Sequence, residues 1–174
     1  MLISKNRVYE LALSSIKAEH VNDFLQQYIP SVFPILTEYG GKFLINRIIQ
    51  NSITNKYPAK SFAILEWPSI DQFAKINTDK RMVPLMEARN QYLDFIIEGS
   101  FYSVLKDTEL KIPENKTMNI FLSNRTVLGD QYFRLHWIND RQNRDLSLNL
   151  YFSNSSMKTF DPGKDIEEFI VKIK

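Results

Sequence analysis

Alternation of helix-like and strand-like patterns over residues 7–104 constrains the fold more than any other feature of this sequence. Apolar residues recur at spacings of three and four from Ala18 to Tyr39, which predicts a long amphipathic helix. Pro30 and Pro34 lie inside it, so we expect a kink or a break there. The predicted elements are, in order, strand 7–13, helix 18–39, strand 42–51, strand 60–67, helical pieces 69–76 and 81–90, and strand 92–104.

The order β-α-β-β-α-β is the ferredoxin-like arrangement and places the chain in the α+β class. It predicts a four-stranded antiparallel sheet with both helices on one face. The other face would be bare, and a bare apolar face indicates a partner. We therefore expect a partner to bury this face, which would be lined either by Tyr9, Leu11 and Leu13 or by their alternates Val8 and Ala12.

Residues 105–174 extend beyond this unit. The charged stretch 106–117 contains Pro113 and is predicted to be a linker between domain 1–105 and a small strand-rich unit, 118–174. No sequence repeat relates the two halves. The unit should dock on the N-terminal domain or on its dimer mate, because its alternating apolar rows cannot stay in water. Its predicted elements are strands 119–123, 131–138 and 146–152, and a closing helix begun by Asp161-Pro162 with an apolar stripe of Ile166, Phe169, Ile170 and Ile173.

Composition excludes several kinds of chemistry. The chain has no cysteine, which removes thiolate nucleophiles, disulfides and Cys-ligated metals. Its only histidines are His20 and His136, so we expect neither a metal site nor haem, and no cofactor. The net charge of +2 does not indicate nucleic acid or an anionic membrane as a partner. No secretory signal or spanning segment is recognisable, and the expected location is cytoplasmic.

Two carboxylates are the candidate catalytic groups. Glu66 and Glu98 each end a predicted strand after an apolar run. Partial burial there would raise the pKa of either carboxyl and suit it to general acid or base catalysis. The alternative is that each is simply paired with Arg47, Arg89 or Lys42 at the sheet edge.

The candidate ligand-binding residues are Tyr39, Lys42, Arg47 and Arg89. The sequence Tyr39-Gly40-Gly41-Lys42 could present a backbone amide and an ammonium to an anion, or could be a helix stop and tight turn. Arg47 lies among isoleucines and needs a partner, which could be a substrate carboxylate or Glu66.

Several segments together resemble the domain of unknown function numbered 1330, a branch of the dimeric α+β barrel superfamily that also holds antibiotic-biosynthesis monooxygenases. The resemblance covers residues 7–104. Trp67 and Lys42 depart from the family, which usually has phenylalanine and arginine there. The segments are Tyr39-Gly40-Gly41-Lys42-Phe43-Leu44, Leu65-Glu66-Trp67-Pro68-Ser69, Pro84-Leu85, Ala88-Arg89 and Glu98-Gly99.

The resemblance implies a homodimer whose two sheets form a barrel, but no settled reaction. It leaves two functions open. The first is a protein that binds a small organic molecule, an anion being the candidate named, between helices and sheet, and that acts as a cofactor-independent oxygenase- or isomerase-like enzyme. The second is a non-enzymatic interaction or regulatory protein in which the barrel is a dimerisation module. A closed polar pocket favours the first, and an exposed apolar groove in 118–174 favours the second.

Overall fold

The computed structural model describes residues 1–52, 58–112, 117–123, 132–140, 147–153 and 166–172. Its helices are α1 (Val21–Asp23), α2 (Ile29–Glu38), α3 (Ile70–Ile76) and α4 (Met82–Tyr92), with a 3-10 turn at Ala18–His20 and a π-helical turn at Phe24–Tyr28. Its strands are β1 (Leu2–Ile3), β2 (Val8–Ile16), β3 (Lys42–Ile48), β4 (Asn51–Ser52), β5 (Ser61–Trp67), β6 (Leu93–Ser103), β7 (Thr108–Glu109), β8 (Thr117–Ser123), β9 (Tyr132–Asp140), β10 (Ser147–Ser153) and β11 (Ile166–Lys172).

The first four long strands form the predicted ferredoxin-like sheet. Their order is β3-β5-β2-β6, and every neighbouring pair is antiparallel. Helices α2, α3 and α4 cover one face, so the α+β, ferredoxin-like prediction is confirmed. The buried core between helices and sheet consists of Tyr28, Val32, Ile35, Leu36, Leu65, Trp67, Phe73, Ile76, Met82 and Phe101.

The helix expected to break at its prolines continues through them. Its irregularity is the π turn just before Pro30, where the backbone amide of Ile29 donates to the carbonyl of Phe24, five residues back. An ordinary α turn would press the Pro30 ring against the carbonyl of Gln26. The helix avoids this clash with one extra residue in the turn before Pro30. Pro34 lies inside α2.

Two glycines end α2. Gly40 has a φ of 78°, and its amide donates to the carbonyl of Thr37 over 2.9 Å, while the amide of Gly41 donates to that of Leu36 over 2.9 Å. This is a Schellman ending. A Cβ on Gly41 would lie 2.7 Å from Cζ3 of Trp67, so this glycine also lets the indole pack against the turn.

The sheet face predicted to be bare is buried within the chain. Tyr9, Leu11 and Leu13 lie on it, away from the helices, and each is at most 1% exposed. Met118 of β8 belongs to the same buried cluster. The prediction of a bare face is therefore wrong, and although a homodimer stays a prediction, this face is not free to form it.

The C-terminal strands extend the same sheet, in the order β3-β5-β2-β6-β9-β10-β8-β11-β4. Within the predicted linker, β7 pairs with β1. The closing helix is wrong, because Ile166–Lys172 is strand β11, paired with β8 along its length. The spacing of Ile166, Phe169 and Ile170 fits a helix, but β-branched residues favour a strand and β8 offers an unpaired edge. No helix among the described residues is long and apolar enough to cross a membrane.

Truncation of Leu11 tests the covered face. Leu11→Ala should lower the free energy of unfolding by about 2–5 kcal/mol, because it leaves a cavity in a closed core. Leu105→Ala is the matched control, since Leu105 is 79% exposed. A loss as small as that of the control would contradict burial of this face within the chain.

Candidate functional site

The two candidate carboxylates lie on opposite faces of the sheet. Glu66 lies on the face of Tyr9, and its Oε1 is 4.0 Å from Nε of Arg7. Glu98 lies on the helix-covered face, where Arg89 of α4 reaches it. The structure therefore does not join the two into one acid–base pair.

Arg89 and Glu98 form a two-pronged ion pair. Nη1 of Arg89 donates to Oε2 of Glu98 over 2.6 Å, and Nη2 donates to Oε1 over 3.2 Å. The side chains are 11% and 27% exposed, respectively. Arg89 lies in the last turn of α4, where a cation is favoured by the helix dipole. The alternative drawn from the sequence, a carboxylate paired with an arginine, therefore describes Glu98 correctly. Solvent still reaches the pair.

A third carboxylate, which the sequence analysis did not single out, lies beneath this pair. Glu10 of β2 is 3% exposed. Its Oε2 accepts from Nε1 of Trp67 over 3.0 Å, and its Oε1 accepts from the backbone amide of Gly99 over 2.9 Å. A buried charge needs such donors. The sequence could have indicated that Glu10 is buried, because Glu10 shares the helix-facing row of β2 with Val8 and Ala12.

The Gly99 amide points at Glu10 because β6 bulges there. The register with β2 shifts between Leu11, opposite Ser100, and Leu13, opposite Ile97. Gly99 has a φ of 77°, a conformation that glycine adopts without steric cost. Such a bulge changes the direction of neighbouring side chains and often lies beside functional sites.

Tyr28, at the end of the π turn, lies among the charged groups of Arg89, Glu98 and Glu10. Burial raises the pKa of its hydroxyl, and the charges of Arg89, Glu98 and Glu10 all act on that pKa. We call Glu10, Tyr28, Trp67, Arg89 and Glu98 the Arg89 cluster. It joins two backbone irregularities, the π turn above the sheet and the β-bulge within it.

Aromatic rings extend from the Arg89 cluster toward the start of the first helix. The ring centroids of Phe24 and Tyr28 are 4.9 Å apart, those of Phe24 and Tyr92 6.5 Å, and those of His20 and Tyr92 5.3 Å. Nδ1 of His20 is buried and makes no hydrogen bond within the described residues, although Oδ2 of Asp23 is 3.5 Å away. A flat organic ring would meet apolar and aromatic surface here.

The remaining candidates lie elsewhere. The Tyr39 hydroxyl donates to Oδ2 of Asp79 over 3.1 Å, and this bond raises the pKa of Tyr39. Hydrogen bonds from Arg81, which also contacts Glu38 at 2.8 Å, hold the pKa of Asp79 well below its usual range. This partly exposed network ties the end of α2 to the turn between α3 and α4.

Lys42 and Arg47 lie on β3 and are exposed. Lys42 is opposite Glu66 in the register with β5, whereas Arg47 is opposite Phe62 and donates to the carbonyl of Asn46 over 2.8 Å. Of the predicted residues, the structure thus joins Arg89 with Glu98, and sets Tyr39, Lys42, Arg47 and Glu66 apart from them. Within the described ranges, no three metal-ligating side chains come together.

Replacement of Glu10 by its amide tests the buried carboxylate. Glu10→Gln should lower the free energy of unfolding by about 1–3 kcal/mol, because one N–H donor then meets the amide NH2 group instead of an acceptor. Glu109→Gln is the control, since Glu109 is exposed. Equal denaturant midpoints for the two variants would contradict the role assigned to Glu10.

Tyr9 predicts a loss of stability in alkaline solution. Burial, as the main cause, raises the pKa of its hydroxyl from 10.0 to about 12. The unfolded chain therefore loses this proton first as the pH rises, and the stabilisation present below pH 10 is lost on the way to pH 12. Tyr9→Phe should flatten the dependence of the unfolding free energy on pH in this window, and an unchanged slope would contradict the assignment.

Comparison with protein-family models finds no match, and comparison with curated protein sequences finds none. Among solved structures, the chain is similar to one described as a crystal structure of an anthrone oxidase-like protein, with a TM-score of 0.60 and 8% identity. The alignment covers 100% of this chain and 94% of that chain. At this identity the likeness shows the fold alone, so the chain has a fold of the dimeric α+β barrel type, and its resemblance to domain 1330 stays a prediction.

Proposed function

We propose that this protein binds a small organic molecule at the Arg89 cluster, on the helix-covered face of the first sheet. The observation that carries the proposal is the Arg89–Glu98 pair, which is part-buried, solvent-accessible and bordered by the Tyr28 hydroxyl. A ligand with a ring and a polar group would place the ring against Phe24 and Tyr92 and the polar group on the pair.

Charge favours a neutral polar group over an anion. The cluster contains two carboxylates, Glu10 and Glu98, and one guanidinium, Arg89, so its formal charges leave one negative charge in excess. A ligand carboxylate would have to displace Glu98 from Arg89 and would bring a third negative charge to the site. A phenol or enol hydroxyl, in contrast, donates to one partner and accepts from the other.

The same geometry suits proton abstraction. One oxygen of Glu10 accepts a hydrogen bond from Trp67 and the other accepts one from Gly99. Glu98 is partly exposed, so it is the carboxylate that a ligand would reach. Glu98 would accept a proton from the ligand, and Arg89 would stabilise the oxyanion left behind. This is the first step expected of a cofactor-independent oxygenase or isomerase, and the oxidase-like description of the structural neighbour supports the same class.

A regulatory or interaction protein remains the second candidate. Leu25, Phe33 and Val83 on the helical layer are each at least half exposed. Such side chains favour a protein partner more than a small molecule.

Binding of matched naphthalene probes tests the first proposal. Calorimetric titration should detect 1-naphthol and give weaker binding for 1-naphthoate, because only the acid adds a negative charge. Arg89→Gln should weaken naphthol binding about tenfold or more, the usual effect of losing a charge-assisted hydrogen bond. Arg81→Gln is the matched control, because Arg81 belongs to the exposed Asp79 network.

Two results would contradict the proposal. One is equal binding of naphthol by wild type and Arg89→Gln at unchanged melting temperature. The other is a preference for naphthoate that survives Arg89→Gln, which would move the site to another cation.

A further inference from the structure

The C-terminal strands repeat the topology of the N-terminal ones. In the first half the order is β3-β5-β2-β6, which, numbered within that half, is second-third-first-fourth. In the second half the order is β9-β10-β8-β11, which is again second-third-first-fourth. All neighbouring pairs are antiparallel in both halves.

The two junctions between the halves are equivalent. At one, the fourth strand of the first half, β6, pairs with the second strand of the other, β9. At the other, the fourth strand of the second half, β11, pairs with β4, which continues the second strand β3 after two intervening residues, 49 and 50. Exchange of the halves therefore reproduces both junctions, and the sheet closes on itself.

The residue pattern explains how the second half closes the sheet. Met118 of β8 is fully buried in the cluster of Tyr9, Leu11 and Tyr102. Strand parity puts two further residues of β8 on the Met118 face, and the register puts three residues of β10 opposite them. This row is entirely apolar and consists of Met118, Ile120, Leu122, Leu148, Leu150 and Phe152.

The row of residues on the opposite side of the strands differs between the two halves. In the first half, the helix-facing row of β5 is apolar, with Ala63, Leu65 and Trp67, and helices cover it. The corresponding row in the second half is mostly polar and consists of Thr117, Asn119, Phe121, Ser123, Ser147, Asn149, Tyr151 and Ser153.

We infer that the four strands of the second half, within residues 117–172, repeat the sheet arrangement of the first half, and that they occupy the place that a second protomer takes in a two-chain barrel. The surface that the sequence assigned to a second copy of this chain is thus bound by the chain's own C-terminal half. The inference rests on strand pairing and is independent of the proposed function.

Engineered disulfides at the two junctions test the inference, because the chain has no cysteine of its own. Ser103 lies opposite His136, and Asn51 lies opposite Ile170. Opposed residues in antiparallel strands have Cα atoms about 4.5–5.5 Å apart, within reach of a disulfide. The variants are therefore Ser103→Cys with His136→Cys, and Asn51→Cys with Ile170→Cys, each oxidised in the otherwise native full-length protein.

Each pair should form a disulfide within one chain, seen as a faster-migrating 20.5 kDa species on a non-reducing gel at low and high protein concentration. Ser103→Cys with Arg134→Cys is the control, because residue 134 is two positions off register and should cross-link poorly. Reduced variants must melt as wild type does, which shows that the substitutions leave the fold intact. Disulfide-linked dimers, or free thiols in both native-like variants, would overturn the inference.

Discussion

Burial of β2 on both faces is the constraint on which the rest of the structure depends. Tyr9, Leu11 and Leu13 require cover on one face, and the C-terminal half supplies it. The other face carries Glu10 into the core beneath the helices, and a buried carboxylate requires donors. Trp67 and the bulged Gly99 amide provide them. Glu98 is the residue before Gly99 in β6, so the same bulge also sets the position of Glu98 beside Arg89.

Local patterns were sufficient to predict the first half. Apolar spacings of three and four predict the first helix, and the alternation of helical and strand patterns predicts the order of the elements. Local patterns are insufficient where pairing between distant strands decides the secondary structure. Residues 166–172 carry a spacing that fits a helix, but the open edge of β8 makes them a strand. The covered face was missed for the same reason, because topology relates the halves and sequence similarity does not.

The candidate site was predictable in part. The sequence leaves Glu98 either catalytic or paired with Arg47, Arg89 or Lys42, and the structure pairs it with Arg89. Glu66 was grouped with Glu98 because both end strands, yet strand ends do not specify faces, and the bulge at Gly99 makes simple parity unreliable along β6. Glu10 was overlooked because a single polar residue in a strand usually indicates the solvent face. Only the apolar residues on both sides of β2 show that this strand has no solvent face.

Closure of the sheet also explains why a ligand site belongs outside it. A closed sheet of about eight strands has an interior just wide enough to be filled by its own side chains. Tyr9, Phe62 and Tyr102 are large, are at most 2% exposed, and occupy that interior. On the helix-covered face, by contrast, the layers meet at an irregular helix and a bulged strand. The accessible charges of Arg89 and Glu98 lie at this junction, which is why we propose the junction, and not the filled interior of the closed sheet, as the ligand site.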